Sequence, residues 1–476
     1  MLQNFMQGKK VKAGTEKIDY EDIRNQVNRS LPGIRSAIRQ GRPLPLLVTC
    51  KTCPVDILQW LKSHSVYPRL YWYDRDGGVE IGGFGSLVSV SENDPARLSA
   101  AFDKLSGILD RHPQKGLLRF LGGTWFFPQE KQDKKWADFP PLWFVLPQVM
   151  MLRENGQFFL SVGVLFEHHE DEHDIIARIL ESFKKAKSRD LSPIRDQFPE
   201  VITRTDHPDY AGWKNNINTS LHKIYKGEID KVVLARRTDV KFKEAVEAVD
   251  YVHALKSAND RCYFFLFQPR QGTAFLGATP ERLLKIEKNR LISEAVSGTV
   301  ARGADPDEDR HRGAWLLQNQ KELSEQKFVT DDLIAKFHRL TKEIEMPGPP
   351  EIVKLANVQH LVSKVSGVLR NGISIGEMVS SLHPTAAVGG CPVSAAISLI
   401  ERLEPFSRGW YAGPVGILSH ELTEMAVGIR SSLVIDRVVS LFTGAGIVKG
   451  STPESEWKEI EDKMCTAFKI LSGGQE

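Results

Sequence analysis

Two acidic spacings point first to chemistry. Glu322 and Glu325, in QKELSEQKFV, and Glu456 and Glu459, in STPESEWKEIEDK, lie three residues apart in helix-like segments, so each pair shares a helix face. Alone, such a pair is an ordinary acidic first turn favoured by the helix dipole. Two such helices facing each other would bring together four carboxylates, a donor set suited to a hard divalent cation such as Mg²⁺. Other polar residues sit in apolar company. In DKVVLAR, Lys231 shares a strand face with Val233 and Ala235, so it either snorkels to water or has its pKa lowered toward the range of a general base. In FLGATPERLLKI, Pro280 interrupts the ladder and leaves Glu281 at a bulge or strand start. An apolar setting there would raise its pKa, as a general acid requires. Arg430 lies in EMAVGIRSSLVI, which reads as a buried strand, and a buried guanidinium calls for a carboxylate from protein or ligand. His360, in VQHLVSKVSG, fits a polar site or a satisfied core position alike.

The elements that must position these groups read as hairpins mixed with helices, without regular strand–helix–strand units. That pattern favours an α+β fold with antiparallel sheets. LYWYDRDGGVEIGGFGSLVSV reads as a hairpin turning at Asp76-Gly77, and FVLPQVMMLRENGQFFLSVGVL as one turning at Glu154-Asn155-Gly156. The segment EKIDYEDIRNQVNRSLPGIRSAIRQ reads as a helix broken near Pro32-Gly33, and PVDILQWLKSH as a helix with Pro54 in its first turn. One long helix is expected from Arg312 to Leu340, and the charged, proline-bearing stretch from Ser188 to Tyr210 is the expected seam. Near the C-terminus, GAGIVKGSTPESEW looks like a phosphate cradle, but its helix, with Thr452 as N-cap and Pro453 in the first position, opens on glutamates of the wrong sign for phosphate.

Bulk properties exclude several classes. The 476 residues are 41% hydrophobic and 26% charged with a net charge of +3, ordinary for a soluble globular protein and no nucleic-acid footprint. No apolar run approaches the roughly 20 residues of a spanning helix, and the first 17 residues lack the apolar centre of a signal peptide. Five thinly spread cysteines favour a reducing compartment, with the cytoplasm as the expected location. Three motifs are read as incidental. His169-Glu170-Asp171-Glu172-His173 spells HExxH in a solvated turn between strand and helix. Cys50 and Cys53 lack a second pair for zinc. Cys391, in GGCP, reads as part of a backbone turn, since His383 nearby in sequence says nothing of proximity in space.

Taken in order, KVVLARR, FLGATPERLL, SEAVSGTVARG, the helix bearing Glu322 and Glu325, VQHL, LHPTAAVGGCP, WYAGPVGI, VGIRSSLV and GAGIVKGSTPESEWKEIEDK resemble the chorismate-utilising enzymes. The resemblance covers about residues 205 to 470. It implies two packed antiparallel β-sheets flanked by helices, with residues 1–200 as a variable N-terminal part of the same fold and 201–476 as the chorismate-binding catalytic part. It also implies Mg²⁺. Members of the family that add water carry a lysine where Lys231 stands, whereas ammonia-using anthranilate synthases typically do not. Aminodeoxychorismate synthases that use a covalent lysine carry it where Ser297 stands here, and no glutaminase segment or subunit is expected.

The resemblance therefore implies an isochorismate synthase of the menaquinone or siderophore type, acting on chorismate as a monomer. Two alternatives stand beside it. Salicylate synthases share almost the whole constellation and add pyruvate elimination. A catalytically silent chorismate-binding protein is motivated by three departures from the family pattern: Gln326, Ala386 and Met425, where histidine, proline and phenylalanine are common. In the implied mechanism Lys231 takes a proton from water attacking ring carbon 2, and Glu281 protonates the hydroxyl leaving carbon 4. Mg²⁺ on Glu325 and Glu459, with Glu322 and Glu456 close by or through water, clamps the ring carboxylate. Tyr411 and Arg430 hold the enolpyruvyl carboxylate, Gly444 and Gly446 offer backbone N–H groups, and Gly298, Thr299 and His360 line the same pocket.

Overall fold

Phe264, Phe265, Leu266 and Phe267 are consecutive buried residues of the Tyr263–Arg270 strand, and their side chains divide between two cores. Phe265 and Phe267 enter one and Phe264 and Leu266 the other, as the two-residue period of a strand requires. A strand apolar on both faces must be covered on both faces. The computed structural model, which describes residues 20–38, 43–127, 133–167, 169–187, 191–354 and 358–473, shows by what.

The long Leu142–Glu154 strand is the branch point. On one edge its first residues pair with Phe120–Thr124 and its later ones with Gln157–Phe166, while its other edge pairs with Val79–Glu92. From Val79–Glu92 one sheet continues through Arg69–Tyr73, Tyr263–Arg270, Thr273–Thr279, Ser431–Ile435 and Val438–Ile447 to Lys231–Phe242. From Phe120–Thr124 the second runs through Pro414–Leu418, Leu422–Val427, Arg282–Glu287 and Arg290–Ala301 to Val358–Leu369. All these pairings are antiparallel. Phe265 and Phe275 of the first sheet share a core with Leu284, Leu291, Val415 and Ile417 of the second. The outer face of the first sheet is covered by the helices Tyr20–Ala37, Ile57–Lys62, Glu172–Ala186, Ala248–Ala258 and Pro453–Ser472. The expected pair of packed antiparallel sheets with flanking helices is present. Strands from before residue 200 pair directly with strands from after it in both sheets.

Local expectations were corrected in five places. The Tyr20–Ala37 helix runs through Pro32, because Ile23, Val27, Leu31 and Ile34 form one buried stripe whose packing outweighs the lost backbone bond. Pro54 precedes the Ile57–Lys62 helix, whose N-cap is Asp56. The long helix is two, Pro306–Leu316 and Gln320–Leu340, separated where the Asn319 side chain caps the second by accepting from the Glu322 N–H at 3.1 Å. Part of the expected seam is a strand, Val201–His207, paired with Lys231–Phe242. Arg430 does not lie within a strand: it occupies a corner between Leu422–Val427 and Ser431–Ile435, with φ +49°. Both hairpin turns fall where expected, with positive φ at Gly77, Asn155 and Gly156. Among the described residues no helix is long and apolar enough to cross a membrane. The N-terminal residues read for a signal peptide lie outside the described ones.

Removing the Phe265 ring from the core between the sheets should cost about 3–5 kcal/mol. Phe265→Ala should therefore denature at a clearly lower temperature than the parent, and an unchanged midpoint would contradict this packing.

Candidate active site

Lys231 is the first residue of its strand and is 2% exposed. The GGCP segment holds it there. Gly390–Cys391 forms a two-residue strand against Val232 and Lys231, and the Asp230 N–H donates to the Cys391 carbonyl at 2.8 Å. Gly390 has φ +134°, and a Cβ there would lie 2.3 Å from the Lys231 carbonyl oxygen, so only glycine permits the approach. Burial pushes the Cys391 thiol up, and His383 donates its Nε2 proton instead to the Phe126 carbonyl at 2.7 Å. This segment positions a lysine and supplies no nucleophile.

Pro280 and Glu281 fall in the break between the Thr273–Thr279 and Arg282–Glu287 strands. The Val427 N–H donates to the Glu281 carbonyl at 3.0 Å, and the Thr279 hydroxyl donates to the Val427 carbonyl at 2.7 Å. The Glu281 carboxyl is buried, which pushes its pKa up to about 7, with Lys231 opposing the rise. It stays largely protonated to near neutrality.

All the expected site residues line one cleft of about 1040 Å³: Lys231, Glu281, Gly298, Thr299, Glu322, Glu325, His360, Tyr411, Arg430, Gly444, Gly446, Glu456 and Glu459. The Gln320–Leu340 helix contributes Glu322 and Glu325, and the Pro453–Ser472 helix, with the expected Thr452 cap and Pro453, contributes Glu456 and Glu459. Lys231 Nζ donates to Glu325 Oε1 at 2.7 Å. Burial would raise the Glu325 pKa, but Lys231 outweighs it and holds the carboxyl below its ordinary value. Glu322 and Glu456 have no ion-pair partner of that kind among the described residues. Burial and then Glu459 push Glu456 up to about 7, and burial and then Glu325 raise Glu322. Crowded carboxylates in a desolvated cleft call for a cation. Yet among the described residues no three His, Cys, Asp or Glu side chains already converge on a single metal position. The structure brings the four glutamates to one cleft without closing them into a cage.

The remaining lining of the cleft is cationic and aromatic. Arg430 donates from Nη1 to the Lys463 carbonyl at 3.2 Å, and among the described residues no carboxylate reaches ion-pair distance of its guanidinium. Its burial penalises the charge, which suits a partner carboxylate brought by a ligand. Tyr411 stacks on Phe442 at 5.0 Å between centroids. His360 pairs through Nδ1 with the Thr299 hydroxyl at 3.0 Å, and burial, aided by Arg430 and Lys463, pushes its pKa down to about 3, so it is neutral. The Thr299 backbone opposes the rise in the Glu322 pKa, and Gly298 before it has φ +62°. Beyond Phe442 the Val438–Ile447 strand pairs, among the described residues, with Lys231–Phe242 alone, leaving its other edge toward the cleft. The Gly444 carbonyl points to that edge, where it accepts from Lys463 Nζ at 3.0 Å, so the N–H groups of Gly444 and Gly446 face the same way. A Cβ on Gly446 would lie 3.0 Å from Lys231 Cε and 3.2 Å from Glu325 Oε1. Glycine there makes room for the ion pair.

Sequence reasoning missed Lys463, which also donates to Glu459 Oε1 at 2.5 Å. Its position four residues after Glu459, on the same helix face, was an available signal. It also missed the buried Arg408–Glu404 pair beneath the cleft, where Arg408 donates to the Val233 and Val388 carbonyls at 2.8 and 2.9 Å. The departures from the family pattern lie behind the site. Gln326 donates to the Ala295 carbonyl and the Ser363 hydroxyl at 2.9 and 3.0 Å, and Ala386 and Met425 are buried in the core. His169 is in a turn before the Glu172–Ala186 helix and His173 in its first turn, so HExxH does not form a zinc face.

A sequence profile described as chorismate binding enzyme matches residues 33–472. The chain belongs to this family. As a chorismate-binding enzyme it is similar to the isochorismate synthase MenF of Escherichia coli K12, with 34% identity over 421 residues, 87% of this chain and 90% of the relative. It is 32% identical to MenF of Haemophilus influenzae over 419 residues, 88% of this chain and 90% of that protein. Among solved structures, the menaquinone-specific isochorismate synthase MenF from Escherichia coli superposes with a TM-score of 0.80 at 30% identity, covering 94% of this chain and all of that one.

The rise of the Glu281 pKa from 4.5 to about 7 carries a stability consequence. The folded state binds this proton more tightly than the unfolded chain, so stability is retained below pH 4.5 and lost as pH rises toward 7, by roughly 3 kcal/mol. Glu281→Gln should denature at a higher temperature than the parent at about pH 8, with the gap closing near the carboxylate's ordinary pKa. Equal midpoints at both pH values would show that Glu281 is not held protonated.

Proposed function

We propose that this chorismate-binding enzyme is a Mg²⁺-dependent isochorismate synthase. One observation supports this best: a buried lysine and a buried, proton-retaining carboxyl, Lys231 and Glu281, line the same cleft as an arginine awaiting a carboxylate. Chorismate carries two carboxylates, so it needs two anion sites and a base and acid between them. Arg430 and the Tyr411 hydroxyl take the enolpyruvyl carboxylate, and the open N–H groups of Gly444 and Gly446 help seat the substrate. Lys231, once it has given up the proton it shares with Glu325, accepts a proton from water as the water oxygen bonds to ring carbon 2. The ring double bond shifts, the carbon 4–oxygen bond breaks, and Glu281 donates its proton to the departing hydroxide. Water enters and water leaves, so the net change is an isomerisation. His360 remains neutral and keeps Thr299 in place.

The donor set fits a hard dication, because the half-buried Glu322 and the buried Glu456 have no ion-pair partner among the described residues. Glu325 and Glu459 would hold Mg²⁺, with Glu322 and Glu456 direct or through water, and the ion would supply Lewis-acid screening of the ring carboxylate. Water as nucleophile, with Lys231 as base, removes the need for a glutaminase partner.

Incubation with chorismate and Mg²⁺, followed by chromatography, should yield isochorismate without stoichiometric pyruvate. Pyruvate appearing in step with product would instead identify a salicylate synthase, and no conversion at all would refute the enzyme reading. Lys231→Ala should lower turnover by about 10²–10⁴-fold with a much smaller change in chorismate binding.

A further inference from the structure

Glu281 sits on a break between strands, so something other than a ladder must hold it. One side of the break is tied to Val427, and the other is tied to the N-terminal half of the chain. Arg75 occupies the turn between the Arg69–Tyr73 and Val79–Glu92 strands, which Asp74 braces by accepting from the Gly78 and Val79 N–H groups, both at 2.9 Å. From there Arg75 Nη1 donates to the Pro280 carbonyl at 2.8 Å, the peptide that leads into Glu281. Its fork also grips Glu294, Nη1 to Oε2 at 2.8 Å and Nη2 to Oε1 at 2.6 Å. Arg282, the residue after Glu281, reaches the same Glu294 at 3.0 Å and continues to Tyr263, Glu424 and Asp76 at 2.7, 3.1 and 2.8 Å. Both neighbours of Glu281 are thus anchored on one buried carboxylate, and Arg75 is 16% exposed at its side chain.

We propose that Arg75 is a positioning residue for the general acid: by clamping the Pro280 carbonyl and Glu294 together it fixes where the Glu281 carboxyl meets the substrate. The inference rests on the reading of Glu281 as that acid. Without the clamp the Pro280–Glu281 peptide loses its donor on this side, and a displacement of about 1 Å at a reacting group is enough to cost roughly 100-fold in rate. The clamp also has an electrostatic side. The groups acting on Glu281 are Lys231 from its strand, Lys463 from the C-terminal helix and Glu294 from the second sheet, and Glu281 in turn acts on Tyr411. Glu294 disfavours ionisation of Glu281, and Arg75 is one of the two guanidinium groups that offset Glu294.

The test compares Arg75→Met, Arg75→Lys, Glu294→Gln and Glu281→Gln in the full chain, with Mg²⁺ and chorismate, between about pH 6 and 9. Arg75→Met should lower kcat by about 10–100-fold with a much smaller change in KM, and should move the alkaline limb of the rate profile to higher pH. Arg75→Lys, which retains the charge and a donor, should recover most of kcat and return the limb. Glu294→Gln, which removes the negative charge but keeps an acceptor, should move the limb the opposite way and serves if Arg75→Met does not fold. Parental kcat and limb in Arg75→Met beside an inactive Glu281→Gln would overturn the inference alone. Turnover retained in Glu281→Gln would overturn the general-acid reading and the inference with it. A lowered denaturation midpoint without a shifted limb, unrescued by lysine, would reduce Arg75 to a structural role and also overturn it.

Discussion

The Lys231–Glu325 pair is the contact on which the rest of the site depends. Lys231 begins a strand of the first sheet, and Glu325 rides a helix packed against the second, so one 2.7 Å bond spans the two layers at the cleft. Its surroundings follow from making room for it and feeding it. Gly446 has no side chain because one would press on both partners. Gly390 has none because the Gly390–Cys391 strand must reach the Lys231 backbone. A buried pair of this kind is strongly destabilised when one partner is lost. The same property makes it responsive to any cation that competes for Glu325, and through Glu325 the carboxylate cluster is coupled to the lysine.

Charge is distributed in the cleft by burial more than by pairing. Glu281 and Glu456 are both pushed up to about 7, His360 down to about 3, and Arg430 is penalised, so the site stores several costs of desolvation at once. A dianionic substrate with its metal would relieve most of them, the cation answering the glutamates and the carboxylates answering Arg430 and the glycine N–H groups. Complementarity to the bound state, rather than comfort in the empty one, is what this arrangement favours.

Much of this was legible in the sequence. The two helical glutamate pairs, the lysine on an apolar strand and the glutamate after Pro280 all reach one cleft, because three- and two-residue periods fix the side on which a residue emerges. What periodicity does not encode is where a chain turns a corner. Arg430 was expected inside a strand, yet it sits at positive φ between two strands, since EMAVGIRSSLVI carries apolar residues on both sides of the arginine and hides the bend. The Asn319 cap was likewise hidden within a long run without proline, and the Pro32 helix continued because its buried stripe lies on both sides of the proline. Lys463 and the Arg408–Glu404 pair were overlooked although each rests on a plain spacing of four residues, whereas Arg75 acts over a long sequence separation that one sequence does not display.

The branching of the Leu142–Glu154 strand into both sheets has a consequence for how the chain can be divided. Strands from before residue 200 supply the neighbours of Tyr263–Arg270 in one layer and of Pro414–Leu418 in the other. A fragment carrying all the glutamates, the lysine and the arginine of the cleft, but starting after residue 200, would therefore present two raw hydrogen-bonding edges flanked by buried aromatic surface. Such edges seek other chains. The apparently chemistry-free first part of the sequence is thus what covers both edges of the reactive part.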